Sequence, residues 1–337
     1  MINSFMFIKE RGGFILNKLK FILLIFLVVL ALIIILLTIK FYKDKEIVKK
    51  QMKQINISEF QNVDSIKNLS ILPIVEYDTK NSDLLAEAGV SYLIRADNRT
   101  ILFDVGFNKN NEHPSLLLKN MKNLNININE IDDIFISHNH PDHTGGHGLD
   151  GTFSLSKENV KLENVIAYTP EKMEYNNTKV KVVNKPKRLS KGIYSTGTIS
   201  RAIWLMGITK EQTLAINLEN KGIVLIIGCG HPSIKSIIKR AEDLFDEPIY
   251  GVIGGLHYPI SNKFSYKSIV QNIVAPKLPW KGYKKSEVYN SIDLLIKKDV
   301  KVVGISPHDS SKWTINQFKD RFKSSYKNIV VGKKIDF

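Results

Sequence analysis

Residues 136–146 read Ile-Ser-His-Asn-His-Pro-Asp-His-Thr-Gly-Gly. His138, His140, Asp142 and His143 fall within six positions of a chain that has only eight histidines in 337 residues, so composition alone does not produce the cluster. Imidazole nitrogen and carboxylate oxygen together suit zinc and related divalent metals. The preceding run, 133–137, is apolar and β-like, and Gly145-Gly146 signals a loop. The donors therefore emerge from the end of a buried strand. His138 and His140 can share one metal, and Asp142 and His143 can turn towards a second. That is the plan of a two-metal hydrolytic site.

Three later histidines follow apolar runs in the same way. They lie in Gly228-Cys229-Gly230-His231-Pro232, Gly254-Gly255-Leu256-His257 and Ser306-Pro307-His308. Ile101-Leu102-Phe103-Asp104-Val105-Gly106 is an earlier strand ending in aspartate. Taken in order, these pieces resemble the metallo-β-lactamase superfamily over about residues 69–337. With 85–94 and 195–201 they resemble the branch named after a dihydropterin ribofuranosyl-aminobenzene phosphate synthase.

The resemblance implies an α/β (α+β) fold, the four-layer αβ/βα sandwich, with metals at one edge between two mixed sheets. It implies two divalent ions, zinc first, with manganese or iron(II) as alternatives. His231 and His308 would complete the ligand set of His138, His140, Asp142 and His143. Asp142 and His257 would be the catalytic pair. His257 is open between ligand, proton donor and substrate contact. Asp104 would hold a ligand imidazole or the loop. The chain departs from the branch at Ala88 and Thr198, where histidine and glutamate are usual, and at Asp309-Ser310, where cysteine and glycine are usual. The bridging aspartate of the superfamily has no clear counterpart; Cys229 or His257 falls near its place. Cys229, the only cysteine, excludes an internal disulfide and reads first as a small buried side chain, second as a soft ligand. His113 and His147 read as residues outside the metal site.

Several elements must position these groups. Short apolar runs bounded by turn residues predict strands at 71–77, 89–95, 100–105, 133–137, 165–168, 222–227, 249–253 and 300–305. Helical spacing predicts helices at 114–121, 232–245 and 286–298. Such a length is enough for one large two-sheet domain. No internal repeat stands out.

Residues 21–39 carry no charge and one polar side chain, Thr38. At about 1.5 Å per residue they span roughly 28 Å, the depth of a bilayer core. Lys40-Phe41-Tyr42-Lys43 follows where a signal peptide would show small residues at a cleavage site. The expectation is a single-pass membrane protein: a basic segment 1–20, a transmembrane helix 21–39, a linker 40–68 and a catalytic domain 69–337. Lysines flank the span on both sides, and the positive-inside rule and the short basic head argue in opposite directions. The face of the catalytic domain stays open.

Net charge is +15, and about half of it resides in residues 1–53, where flanking lysines suit anionic lipid. No regular basic helix or RNA-binding motif appears, so no nucleic-acid partner is expected. Residues 258–290 interleave aromatics with lysines: Tyr258, Phe264, Tyr266, Trp280, Tyr283 and Tyr289 among Lys263, Lys267, Lys277, Lys281, Lys284 and Lys285. They read equally as a lid gripping an anionic small molecule or as a surface insertion.

Paired metals lower the pKa of bound water from near 16 to about 7. The leading expectation is therefore a membrane-anchored hydrolase using metal-bound hydroxide on an ester, lactone or phosphoester. The alternative is a transferase like the synthase that names the branch. Di-iron redox relatives place glutamate where this chain has His140 and carry a flavin domain, and neither is present here. The complete ligand set argues against a non-catalytic binding protein.

Overall fold

The structure is a computed structural model that describes residues 2–55, 57–176, 178–260 and 266–337. Lys263 and Phe264, and the side chains of Lys9, Arg11, Tyr266 and Lys267, lie outside the described residues and side chains.

The first helix, α1, runs over Ile2–Gln54 without a break. No β-branched cluster, proline or glycine interrupts it after Gly13 except the apolar Val and Ile residues of the span itself. Asn17–Lys53 is long and apolar enough to cross a membrane, and its most apolar window is not buried inside the protein. Residues 40–54, expected as the start of a polar linker, instead continue the helix. The reason is a stripe at helical spacing: Phe41, Asp44 and Val48 are buried, and Phe41 packs with Ala202 and Leu278.

Beyond α1 come β1 (Leu69–Val75), β2 (Ser91–Ala96), β3 (Arg99–Phe103), α2 (Leu116–Asn123), β4 (Asp133–Phe135), β5 (Ile166–Thr169) and β6 (Lys179–Val182). Then follow β7 (Lys187–Ser190), β8 (Ile193–Ile203), β9 (Gly207–Leu218), β10 (Gly222–Ile227), α3 (Ile234–Glu242) and β11 (Ile249–Gly254). The chain ends with α4 (Tyr266–Ile273), α5 (Lys285–Lys297), β12 (Val302–Ile305), α6 (Lys312–Phe322) and β13 (Ile335–Asp336).

Two mixed sheets form. The seven-stranded one has the order β13-β1-β2-β3-β4-β5-β6, and the six-stranded one β12-β11-β10-β9-β8-β7. A buried cluster joins their inner faces: Tyr92, Ile94 and Phe103 meet Leu214, Ile216 and Ile253. Helix α2 covers one outer face through Leu117 and Met121. Helices α3, α5 and α6 cover the other through Ile237, Ile292 and Phe318. The result is the expected helix–sheet–sheet–helix sandwich.

Within it, β3 and β4 are parallel, as are β10, β11 and β12. Their carboxyl ends open on one edge, where sites in such sheets gather. The strands expected at 71–77, 89–95, 100–105, 133–137, 165–168, 222–227, 249–253 and 300–305 all form, with shifted ends. The long β8–β9 hairpin and α6 were not expected. The hairpin carries buried Ser195, Thr196, Thr209, Glu211, Gln212 and Thr213, so its apolar alternation is broken.

Candidate metal centre

Loops from the carboxyl ends of β3, β4, β10, β11 and β12 bring together every expected site residue. His138 and His143 stand with ring centroids 4.2 Å apart, His140 and His231 4.8 Å, His143 and His308 5.2 Å, and His231 and His257 4.9 Å. Donor atoms of Asp142, His143, Cys229 and His308 lie within 4.8 Å of one another; so do those of His138, Cys229 and His231, and of Cys229, His257 and Asp309. All of these side chains are buried except Asp142, whose side chain is 29% exposed. His113 lies apart on Ser156, and His147 pairs with Asp150 at the surface.

Most imidazoles are oriented from behind. Asp104 accepts from His143 Nδ1 at 2.7 Å and from the Ser137 hydroxyl at 2.7 Å. Ser137 in turn meets His138 Nδ1 at 2.9 Å, and among the described residues His138 Nε2 has no hydrogen-bond partner. Ser306 contacts His308 Nδ1 and donates to Glu76. His140 Nδ1 faces His231 Nε2 at 3.2 Å, two nitrogens that a shared cation would join. Such backing fixes tautomer and ring direction. Asp104 and His257 have positive φ, 55° and 52°, a left-handed conformation that costs a side chain roughly 1–2 kcal/mol.

His257 Nε2 donates to the Gln271 carbonyl at 3.0 Å, so Nδ1 is an acceptor, and among the described residues it has no hydrogen-bond partner. Asp309 accepts the His257 backbone N–H at 2.9 Å. Close packing is required too: a β-carbon on Gly228 would lie 2.2 Å from Ser137 Oγ, so only glycine fits there.

Cys229 is the hub. Its Sγ is 3.1 Å from His143 Nε2 and 3.1 Å from His308 Nε2. Glu211, from β9, accepts the backbone N–H groups of Cys229, Gly230 and His231 at 3.1, 2.8 and 2.9 Å.

The electrostatics suit a cation. Burial, then neighbouring imidazoles, push His138 and His231 well down, and His140 to about 3, so these rings are neutral donors. Burial would lower His143 as well, but Asp142 and Asp104 outweigh it and raise the ring to about 9. Burial pushes Cys229 and Asp309 well up, reinforced for Cys229 by Asp142 and Asp309. Burial also raises Glu211 to about 7. A positive charge at the centre would favour the anionic forms of Cys229 and Asp309 that burial disfavours.

The family model of the metallo-β-lactamase superfamily matches residues 85–149, which hold Asp104 and the His138–His143 cluster. A solved structure described as a metal-dependent hydrolase of the β-lactamase superfamily superposes with a TM-score of 0.57 at 19% identity, covering 80% of this chain and 99% of that one. The fold is that of the metallo-β-lactamase superfamily. A 7,8-dihydropterin-6-methyl-4-(β-D-ribofuranosyl)-aminobenzene-5'-phosphate synthase of Methanocaldococcus jannaschii is 27% identical, over 82% of this chain and 99% of its own length. An uncharacterised protein of the same archaeon is 26% identical over 56% of this chain and 79% of its own.

Within this metallo-β-lactamase fold, sequence reasoning underrated Cys229, named Asp309 only as a departure from the branch, and overlooked Glu211 and Glu76. Cys229 as a small buried side chain is true of its burial but misses its position between two imidazoles. The two overlooked acids carried one signal: Glu76 directly follows an apolar strand run and Glu211 lies inside a strand. A charge there needs a buried partner.

Proposed function

We propose that the chain is a membrane-anchored, metal-dependent hydrolase acting on an anionic ester, lactone or phosphoester. The observation that carries this reading is the buried His138 Nε2, which among the described residues lacks a hydrogen-bond partner amid a set of nitrogen, sulfur and oxygen donors. An orphan of that kind is costly unless something binds it. His138, His140 and His231 would hold one divalent ion, and Asp142, His143 and His308 a second, with Cys229 between. The mixed donor set suits zinc. When bound, such ions supply Lewis acidity and a nucleophile usable at neutral pH.

The chain's own residues divide the remaining work. Asp142 is the partly exposed carboxylate at the site and orients the attacking group or takes its proton. His257 offers Nδ1 as an acceptor for a substrate hydroxyl or a proton. Lys45, Lys49, Lys53 and Arg201, with Glu46 among them, line a 640 Å³ cavity between α1 and β8 that none of the candidate ligands lines, so this net positive patch would attract an anionic molecule to the domain without touching the reacting group. Residues 21–39 form the anchor, and 69–337 the catalytic domain.

The similarity to the synthase over nearly its full length favours a second reading, group transfer to an organic acceptor. One experiment separates the two. The purified full chain is analysed for metal, then assayed on phosphodiester, phosphomonoester, lactone and thioester substrates in water. Two ions per chain and turnover with water alone support the hydrolase. Turnover only with a second organic substrate supports transfer. A chain that retains no ion after loading overturns both.

A further inference from the structure

Residues 269–280 approach the end of the apolar run of α1: Leu278 packs with Phe41, and Ile269, Ile273 and Trp280 share a cavity with Ile34. Trp204, in the β8–β9 turn, donates its indole N–H to Thr38 Oγ1 at 3.2 Å. Thr38 is the lone polar side chain of the span 21–39. Trp280 sits edge-on to Trp204 with centroids 6.0 Å apart. Trp280 is 58% exposed and Leu205, beside Trp204, is 51% exposed. Indoles tied to the last turn of an apolar span occupy the depth where Trp is favoured, the boundary between hydrocarbon and headgroups.

A cavity of 510 Å³ opens there, walled mostly by the apolar Ile34, Trp204, Ile269, Ile273, Pro279 and Trp280, with Asn272 among them. With residues 21–39 in a bilayer, Ile34, one turn deeper than Thr38, would set this groove at hydrocarbon depth. Ile269 and Ile273 are four apart on α4 and share a face. Between them, Gln271 reaches the metal centre: its carbonyl accepts from His257 Nε2 at 3.0 Å, and its amide donates to the His308 carbonyl at 3.4 Å. One short helix thus separates a hydrocarbon-level groove from two site residues. Further along α1, beyond the span, stand Lys45, Lys49 and Lys53 with Arg201.

We propose that this groove takes the hydrocarbon chain of a bilayer amphiphile with an anionic head, so that the site draws its substrate from the membrane. The arrangement matches such a molecule part by part. Apolar walls lie at the depth of its chain, indoles at the boundary, and basic residues on the aqueous side for its head. The inference rests on the anchor reading above and is independent of the metal assignment.

The test uses the full chain in phosphatidylcholine–phosphatidylglycerol vesicles carrying a trace of phospholipid with a photoreactive diazirine near the end of one chain. Labelled peptides are mapped after illumination. Label in both 21–39 and 269–280 is expected, and Ile269→Glu with Ile273→Glu should abolish the second while keeping the first. Label confined to 21–39 in the unaltered chain overturns the groove and leaves the anchor standing. No label in 21–39 overturns both. The wild-type pattern decides the matter even if the double variant fails to fold.

Discussion

Asp104 Oδ2 lies 2.7 Å from His143 Nδ1, both side chains fully buried. The same carboxylate accepts the Ser137 backbone N–H and hydroxyl, so it ties together the loops after β3 and β4. Asp104→Asn keeps a residue that tolerates positive φ but replaces one acceptor oxygen with a donor. Metal affinity should fall about 10- to 100-fold with the fold intact. Metal titration alongside circular dichroism checks this; unchanged affinity would show that His143 orients itself without Asp104.

Cys229 should bind metal as a thiolate. Loading the wild-type chain with cobalt(II) should produce a sulfur-to-metal charge-transfer band in the near ultraviolet, absent from Cys229→Ser. Bound metal should also protect the thiol from alkylation. A cobalt-loaded wild-type chain without the band would return Cys229 to a packing role.

Glu211→Gln removes one acceptor from a carboxylate that receives three backbone N–H groups. The loss should cost about 1–3 kcal/mol. For a domain of this size that is a fall in Tm of roughly 2–4 °C per kcal/mol. Hydrogen exchange should speed up at residues 228–231 first. A Tm equal to wild type, with protection at 228–231 retained, would contradict the assignment.

Removing metal should destabilise the domain. An ion present at a thousand times its dissociation constant adds about 4.1 kcal/mol. Chelator should therefore lower the thermal midpoint, and added zinc should raise it in a concentration-dependent way. A midpoint indifferent to chelator and zinc alike would speak against a resident ion.

Two truncations should differ. Without residues 1–38 the chain keeps Phe41, Asp44 and Val48 against β8; without 1–45 it loses the first two and uncovers Ala202 and Leu278. Loss of a buried Phe from such a contact costs on the order of 3 kcal/mol. Urea unfolding should give the shorter chain the lower midpoint. Equal midpoints would mean that residues 40–45 act only as a spacer.

The cluster of candidate donors and its scaffold were legible in the sequence for a local reason. His138, His140, Asp142 and His143 share one loop, and each later histidine directly follows its own apolar strand. Strand plus terminal donor is a pattern of neighbours, and neighbours are what a sequence displays. The apolar span 21–39 was legible in the same way, through an unbroken run.

The rest depends on what crosses from elsewhere. Continuation of α1 through residues 40–54 follows from Phe41 meeting Leu278, far apart in sequence. Helix α6 and the β8–β9 hairpin escaped notice, the hairpin because its inward residues are polar: Glu211 and Gln212 look like surface residues until the loops they bind are in place. Gln212 donates to the carbonyls of Ile136 and Tyr168 across the sandwich. Cys229 shows most plainly where sequence stops. One buried thiol could be anything small; only the convergence of β4, β10 and β12 puts Sγ between His143 and His308. Sequence alone determined which donors exist and which strands deliver them. Tertiary structure decided which donors meet, because distances between loops are set by sheet pairing and not by the chain that joins them.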